Sequence, residues 1–347
     1  MRILITDQDI QNTYIYSLIE AYKRQGCEVI SGPVDFYTTN YRPDLLHIQW
    51  PEGLYRDDYS VFGPPDEVIP SRIGFFKDNG AKVVFTVHNI RPHERANHSM
   101  ARNIYASVTE LSDIIVHHGY ASIKLFTSEY PISTAKTHIV CPHGHYLAQY
   151  RQISTSDARN HLGLPQDKFI LLYFGTIAPY KGYELLNRIF KRWSKKNKYL
   201  LVAGRFSDYP NNLSQKVLMH WRKIHGSGHN WRRDIRYIKT SDIAYYFSAA
   251  DAVILTHTEG LTSGVLPMAA TFKLPVVYPC LGNFPEQVDN WYARGYPPGD
   301  INAAVAELDK LASESFDVRV LDNSTWLKNN DWDKHVEKIL STYHQIS

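Results

Sequence analysis

The sequence is short of cysteine, of net charge and of long apolar runs, and each shortage excludes a class of protein. The three cysteines, Cys27, Cys141 and Cys280, are far apart and odd in number. They write neither a disulfide framework nor a CxxC metal site, and a reducing cytosol is the expected compartment. Lysine and arginine number 38 against 35 acids, a net charge of +3. A dedicated nucleic-acid binder carries larger, clustered charge, so no nucleic-acid partner is expected. No apolar run reaches the ~18–20 residues that span a bilayer. The opening Met1 to Thr6 enters a strand at once, and no signal peptide is expected. No GxGxxG follows the first strand and no GxxxxGK(S/T) is present. A dinucleotide dehydrogenase or P-loop reading therefore lacks its motif.

What is there is a long alternation of strands and helices. The 347 residues are too many for one ordinary core and suit two domains. Short apolar runs such as Arg2–Thr6, Leu45–Gln49, Lys82–Val87 and Asp113–His117 alternate with helical spacing at Tyr14–Gln25, Ser71–Asn79, Asn97–Leu111 and Tyr120–Tyr130. The proline- and glycine-rich stretch Glu52 to Pro70 reads as a long loop. A polar stretch from Pro142 to Pro165 reads as a hinge, and the alternation restarts at Phe169–Phe174. It continues through a helix over Lys181–Ser194, a strand at Tyr199–Ala203, a helix at Leu213–His225, a short strand at Ile235–Ile238, and a helix over Ser263–Phe272. The expected fold is α/β, with two doubly wound Rossmann-like domains whose ligands sit at the carboxyl ends of the strands. The expected boundaries are 1–147 with 326–347 crossing back, and 148–325. Aromatics make up 13%, with 24 Tyr and 7 Trp, which suits sugar or nucleotide packing as well as ordinary core. The basic-aromatic stretches Lys191-Arg192-Trp193 and Trp231-Arg232-Arg233 read as a solvated face or a weak anchor on anionic lipid.

Three segments carry chemistry. In Tyr173-Phe174-Gly175-Thr176-Ile177-Ala178-Pro179-Tyr180-Lys181-Gly182, Gly175 permits close backbone approach and Lys181 sits at an expected helix start, both suited to a diphosphate. A plain turn with a solvated lysine fits the same residues. In Ala250 to Gly264, a buried strand leads to Glu259 and a loop with Thr262, Ser263 and Gly264 that opens a helix. Such a start holds phosphate, and Glu259 accepts from sugar hydroxyls; a simple cap by Ser263 fits as well. The third, Thr86 to Glu94, puts His88, Arg91, His93 and Glu94 after a buried strand. A third metal ligand at sensible spacing is lacking, so substrate contact is the better reading of these histidines.

Together these segments resemble the GT-B glycosyltransferases related to family 4, and the group 1 transferases of bacterial polysaccharide synthesis within them. The resemblance is strongest from Leu171 to Glu286. It implies that His88 contacts the donor, that Lys181 grips the diphosphate, that Glu259 meets the donor sugar, and that Thr262, Ser263 and Gly264 cradle phosphate; Gly175, Thr176 and Arg205 are expected at the donor site beside them, Arg205 as a second cation. The family's second glutamate, eight residues after the first, is Pro267 here, so ribose recognition is rearranged. The family's arginine after the first glycine is Thr176. The expected function is transfer of a sugar from a nucleotide diphosphate-sugar to a glycan or lipid-linked glycan, in bacterial surface polysaccharide synthesis, with no cofactor. With no acidic pair of the DxD kind in these motifs, metal independence is expected. His88, Glu94 and Asp9 are the candidates for acid/base work. The enzyme is expected in the cytoplasm, with peripheral contact on the inner face of the membrane. The alternatives are a sugar-nucleotide epimerase of the same fold and a non-catalytic nucleotide-sugar-binding protein.

Overall fold

The computed structural model of the protein describes residues 1–7, 12–55, 57–91, 98–207, 226–314 and 321–346. Asp9, His93 and Glu94, and the helix expected over 213–225, lie outside the described residues. The chain forms two compact units, Met1–Gly144 with Asn329–Ser347, and His145–Lys328.

Unit 1 is built on a parallel sheet. Among the described residues its strands are β1 (Arg2–Ile5), β2 (Glu28–Ser31), β3 (Leu45–Ile48), β4 (Lys82–Thr86), β5 (Ile114–His117) and β6 (Thr137–Val140), in the order β2-β1-β3-β4-β5-β6. The order reverses between β1 and β3, which makes the carboxyl ends of these strands the natural ligand edge. Strands β3, β4 and β5 are buried along almost their whole length, as a sheet covered on both faces requires. The expected loop from Glu52 to Pro70 is a correction. It holds two short 3₁₀ turns, Pro51–Leu54 and Asp57–Phe62, and then the helix Pro65–Asp78. Pro65 starts that helix, Asp66 and Glu67 occupy its first turn, and Ile69, Ile73 and Phe76 bury one stripe. That stripe outweighs Pro70 inside the helix, although an interior proline costs about 3 kcal/mol. A second helix, Pro33–Thr38, was not expected.

The C-terminal helix Trp332–Ile346 belongs to unit 1, packing on the helix Thr13–Arg24. Lys338 Nζ donates to the Val140 carbonyl at 2.9 Å and His335 Nδ1 to that of Pro142 at 3.0 Å. Gly144 leaves room for the Trp332 ring: a Cβ there would lie 2.3 Å from it.

Unit 2 has β7 (Phe169–Phe174), β8 (Lys198–Ala203), β9 (Gly226–Gly228), β10 (Trp231–Asp234), β11 (Ala252–Ile254), β12 (Val276–Pro279) and β13 (Ala293–Tyr296), ordered β13-β12-β11-β7-β8-β10-β9. Only the β9–β10 pairing is antiparallel among the described strands. The order reverses between β7 and β11. A core including Leu171, Leu186, Trp193, Val202, Ile254, Ala304 and Leu308 lies against this sheet. Two expectations change here. The strand expected at 235–238 is instead Trp231–Asp234, because Trp231 to Asp234 pair residue for residue with Leu200 to Ala203. In the basic-aromatic stretches the cations Lys191 and Arg192 are exposed, as a solvated face requires, but the rest is not. Trp193 is fully buried, its Nε1 donating to Asp309 at 2.8 Å, and Arg232 pairs with Asp234 at 2.9 Å. No helix among the described residues is long and apolar enough to cross a membrane.

Candidate functional site

In unit 2 the reversal between β7 and β11 brings two of the three segments together. The helix expected from Lys181 starts at Tyr183 instead. Pro179–Lys181 is a 3₁₀ turn, and Gly182 breaks the chain with φ 65°. A Cβ on Gly182 would lie 1.9 Å from the Thr256 carbonyl oxygen. Thr256 Oγ1 donates to the carbonyls of Lys181 (2.9 Å) and Gly182 (3.0 Å). The Thr258 N–H donates to the Tyr180 carbonyl at 2.7 Å, and Tyr173 Oη donates to the Lys181 carbonyl at 3.2 Å. The turn that carries Lys181 is thus clamped by the loop after β11. Gly182→Ala is expected to cost at least about 2 kcal/mol, since it joins a left-handed penalty to a backbone collision. A denaturant midpoint equal to that of the wild type would contradict this.

The Lys181 ammonium folds back over Gly175, whose φ is 109°. A Cβ at Gly175 would lie 3.7 Å from Lys181 Nζ and 3.8 Å from Val265 Cγ2. Burial lowers the Lys181 pKa to about 8. Among the described residues no carboxylate forms an ion pair with it. A half-buried cation without a carboxylate partner there suits an anion from outside the chain. Beside it stands His257, buried between the rings of Tyr180 (6.1 Å) and Phe284 (5.3 Å). Burial first, and then the Lys181 charge, hold His257 near pKa 3. Its Nδ1 is buried and unpartnered among the described residues. His257 was inside a quoted segment but was not singled out; a histidine within the loop facing the lysine turn was the available signal.

The other expected residues of this unit fall around that turn. Gly204, with φ 150°, would place a Cβ 1.9 Å from the Gly175 carbonyl oxygen, so the two loops meet backbone to backbone. Ile177 N–H donates to the Arg205 carbonyl at 2.7 Å, which sets Arg205 beside the turn. Arg205 is exposed, its guanidinium 5.8 Å from the Tyr237 ring. Thr176 and Glu259 are exposed, and Thr262 is half-buried. The helix expected over Ser263–Phe272 is shorter, Val265–Thr271, with Gly264 at its start. Ser263 is buried and its N–H already donates to Gln287 Oε1 at 2.9 Å. The Ser263 hydroxyl accepts from Val265 N–H at a long 3.4 Å.

In unit 1, His88 follows β4 and lies stacked on Trp50, ring centroids 3.7 Å apart. Tyr14 packs edge-on against His88, His118, His143 and Trp332, at 4.9, 5.5, 5.1 and 4.9 Å. His118 and His335 are 5.8 Å apart. Burial, followed by the charge of neighbouring imidazoles, lowers His88 well below its usual pKa and holds His47, His143 and His335 near 3. Burial alone brings His118 down to about 4. His118 Nδ1 donates to the Cys141 carbonyl at 2.9 Å. A carbonyl only accepts, so His118 and His335 carry their protons on Nδ1, and each Nε2 keeps a lone pair. Both of those nitrogens are buried and unpartnered among the described residues. Of this cluster only His88 was singled out from the sequence. Since β5 lies beside β4 and β6 beside β5, the histidines just past their carboxyl ends, His118 and His143, were recoverable from the strand-end rule. His335 was not, because it arrives on the returning helix. Among the described residues no group of three His, Cys, Asp or Glu is placed to hold a metal ion.

With this geometry in hand, comparison with known proteins gives a consistent result. The family model "Glycosyl transferases group 1" matches residues 154–334. A curated relative, the GDP-mannose:glycolipid 4-beta-D-mannosyltransferase of Xanthomonas campestris pv. campestris, is 26% identical over 244 residues, or 69% of this chain. The matched stretch spans 62% of that relative's length. Among solved structures, sucrose-phosphate synthase from Thermosynechococcus elongatus superposes with a TM-score of 0.73 at 16% identity, covering 100% of this chain and 99% of that one. HepE of Anabaena, in complex with UDP and glucose, gives a TM-score of 0.69 at 16% identity, covering 99% of both chains. At such identity the structural likeness speaks for the fold, a GT-B arrangement of two Rossmann-like units. The family match covers more than half of the chain, and the chain belongs to the group 1 glycosyl transferases.

Proposed function

We propose that the protein transfers a hexose from a nucleoside diphosphate-sugar to a glycan or lipid-linked glycan acceptor, in the making of a bacterial surface polysaccharide. The observation that carries this reading is Lys181: a half-buried cation, held by a clamped turn at the β7/β11 reversal, with no carboxylate partner among the described residues. The leaving diphosphate gains charge as the glycosidic bond breaks, and a preorganised cation stabilises that charge. Gly175 leaves room for the phosphates, and exposed Glu259 is assigned to the hydroxyls of the donor sugar. The imidazole cluster around His88 is assigned to sugar hydroxyls. The Xanthomonas relative makes GDP-mannose the first donor to try and a glycolipid the first acceptor. A cytoplasmic enzyme in peripheral contact with the inner membrane face would meet such an acceptor.

The direct test offers GDP-mannose, UDP-glucose and ADP-glucose with a glycolipid extract, and follows both nucleoside diphosphate release and lipid glycosylation. Transfer from one donor supports the reading. A changed sugar with no acceptor present would make the protein an epimerase, and tight binding without turnover a binding protein. Lys181 supplies the positive charge a divalent ion otherwise brings, so activity is expected to survive a chelator. Loss of activity in EDTA that Mg²⁺ or Mn²⁺ restores would overturn metal independence.

A further inference from the structure

In unit 2 the backbone sets His257 beside Lys181. The chain leaves β11 through Leu255, whose N–H donates to the Val277 carbonyl at 2.9 Å. Thr256, just before the histidine, donates from Oγ1 to the Lys181 and Gly182 carbonyls at 2.9 and 3.0 Å. Thr258, just after it, donates from its N–H to the Tyr180 carbonyl at 2.7 Å. Both neighbours of His257 are thus bonded to the turn that carries the lysine. The two side chains also share a neighbour, since the Tyr180 ring lies 6.0 Å from Lys181 Nζ and 6.1 Å from the His257 ring. Phe284, fully buried, meets the imidazole edge-on at 5.3 Å. Gly260, with φ 156°, brings backbone close to it: a Cβ there would lie 3.7 Å from His257 Cδ2. A hydrocarbon side chain would fill a slot between two such rings without burying a polar atom. The sequence puts an imidazole there instead. His257 is 4% exposed, and its Nδ1 is buried with no partner among the described residues. A desolvated nitrogen with nothing to bond destabilises the free protein, and native structures seldom keep one without a use.

We propose that His257 is a second side-chain ligand of the donor diphosphate, its imidazole N–H donating to the phosphate oxygens whose charge Lys181 balances. This rests on the reading of the protein as a transferase that uses a nucleotide sugar, and it adds a residue to that site. Burial, and then the Lys181 charge, keep the ring neutral, so it brings one N–H, which either nitrogen can carry. A diphosphate has acceptor oxygens on two adjacent phosphorus atoms, enough for an ammonium and an imidazole at once. The two ligands do different work. Lysine is a point charge on a flexible stem and sets no direction, whereas an imidazole packed against two rings offers its proton along a fixed line. Lys181 therefore supplies charge and His257 orientation. Instability of the free site, offset only when the ligand arrives, is a recurrent property of functional residues.

Long-range ¹H–¹⁵N correlation of histidine-labelled protein reads the contact directly, with the His257 signals identified by their loss in His257→Gln. GDP, UDP, ADP and inorganic pyrophosphate are the probes. The His257 ring nitrogens should move when the wild type is saturated with the nucleoside diphosphate that binds, and again with pyrophosphate. In calorimetric titration, His257→Leu should bind that nucleoside diphosphate about 10-fold more weakly, the scale of a hydrogen bond to a charged group. His257→Gln keeps an N–H donor and should recover most of the loss. The thermal midpoint of His257→Leu, measured without ligand, should equal or exceed that of the wild type, because an uncompensated nitrogen has given way to hydrocarbon. Wild-type affinity in His257→Leu, or His257 signals that stay in place at saturation, overturns the proposal. A lowered midpoint with unchanged affinity would make His257 a packing residue and overturn it equally. If the wild type binds no nucleoside diphosphate, the functional reading falls and the proposal with it; binding that leaves the His257 signals unmoved removes the proposal alone.

Discussion

Lys181→Ala is expected to lower kcat by roughly 10- to 150-fold, the equivalent of about 1.5–3 kcal/mol for a charge-assisted hydrogen bond. The drop should fall on kcat and not merely raise KM, because the contact strengthens as charge moves onto the departing diphosphate. Lys181 also gives the activity an alkaline limb. Its pKa is lowered to about 8 by burial, so the ammonium is present below that pH and is lost as pH rises through it. Since kcat/KM reports the free enzyme, it should decline above about pH 8. Lys181→Arg keeps a charge at every accessible pH and should abolish that decline, although its planar fork will not restore full activity in a site shaped around Gly175. A pH profile of kcat/KM for the three proteins checks both statements; an alkaline limb that persists in Lys181→Arg would assign it to another group.

Acid should unfold the protein at an unusually high pH. Six histidines of unit 1 are held below their ordinary pKa: His47, His117, His143 and His335 near 3, His118 near 4, and His88 well below. Burial is the first cause in every case. Above pH 6.5 these imidazoles are neutral in both states and contribute nothing. Below it the unfolded chain takes up protons that the folded chain refuses, so stability is lost as pH falls from about 6.5 toward 4. Each group loses about 1.4 kcal/mol for each pH unit, so six acting together approach roughly 8 kcal/mol by about pH 5.5, comparable with the whole stability of a domain. Unfolding near pH 5 to 6 is expected, with uptake of several protons. Protonation should begin at His118 or His335, whose buried Nε2 lone pairs give up no hydrogen bond to a partner. His118→Phe keeps a ring in the stack and removes one proton from the transition. Urea midpoints measured from pH 8 to pH 4 decide the matter; a midpoint that stays flat down to pH 4.5 would mean that these rings find water or partners in solution.

The two-unit plan was legible because it rests on local signals: β-branched runs such as Lys82–Thr86, and the restart at Phe169. The lysine turn and the loop from Thr256 to Gly264 were legible as separate segments. Their meeting was not written in either one. It depends on β11 pairing beside β7, and on Gly182 fitting under Thr256. What could not be read is what tertiary packing overrides. Pro70 reads as a breaker, but the stripe Ile69, Ile73, Phe76 keeps its helix. Ile235 and Ile238 read as a strand and are buried, yet the ladder is made by Trp231 to Asp234. The imidazole cluster draws on residues 47, 88, 118, 143 and 335, which no window of sequence contains together. Ser263 reads as an anion holder, but Gln287 already takes its N–H, and that bond spans 24 residues.

Calorimetric titration of the wild type, Lys181→Ala and Glu259→Ala with nucleoside diphosphates and the corresponding nucleotide sugars tests the central claim most directly. The expected result is that one nucleoside diphosphate binds the wild type and binds Lys181→Ala more weakly by roughly 10- to 150-fold. Glu259→Ala should bind that free diphosphate almost as the wild type does, and should lose its preference among the sugars attached to it. Equal affinity of the wild type and Lys181→Ala for every nucleoside diphosphate would contradict a donor site at the lysine turn.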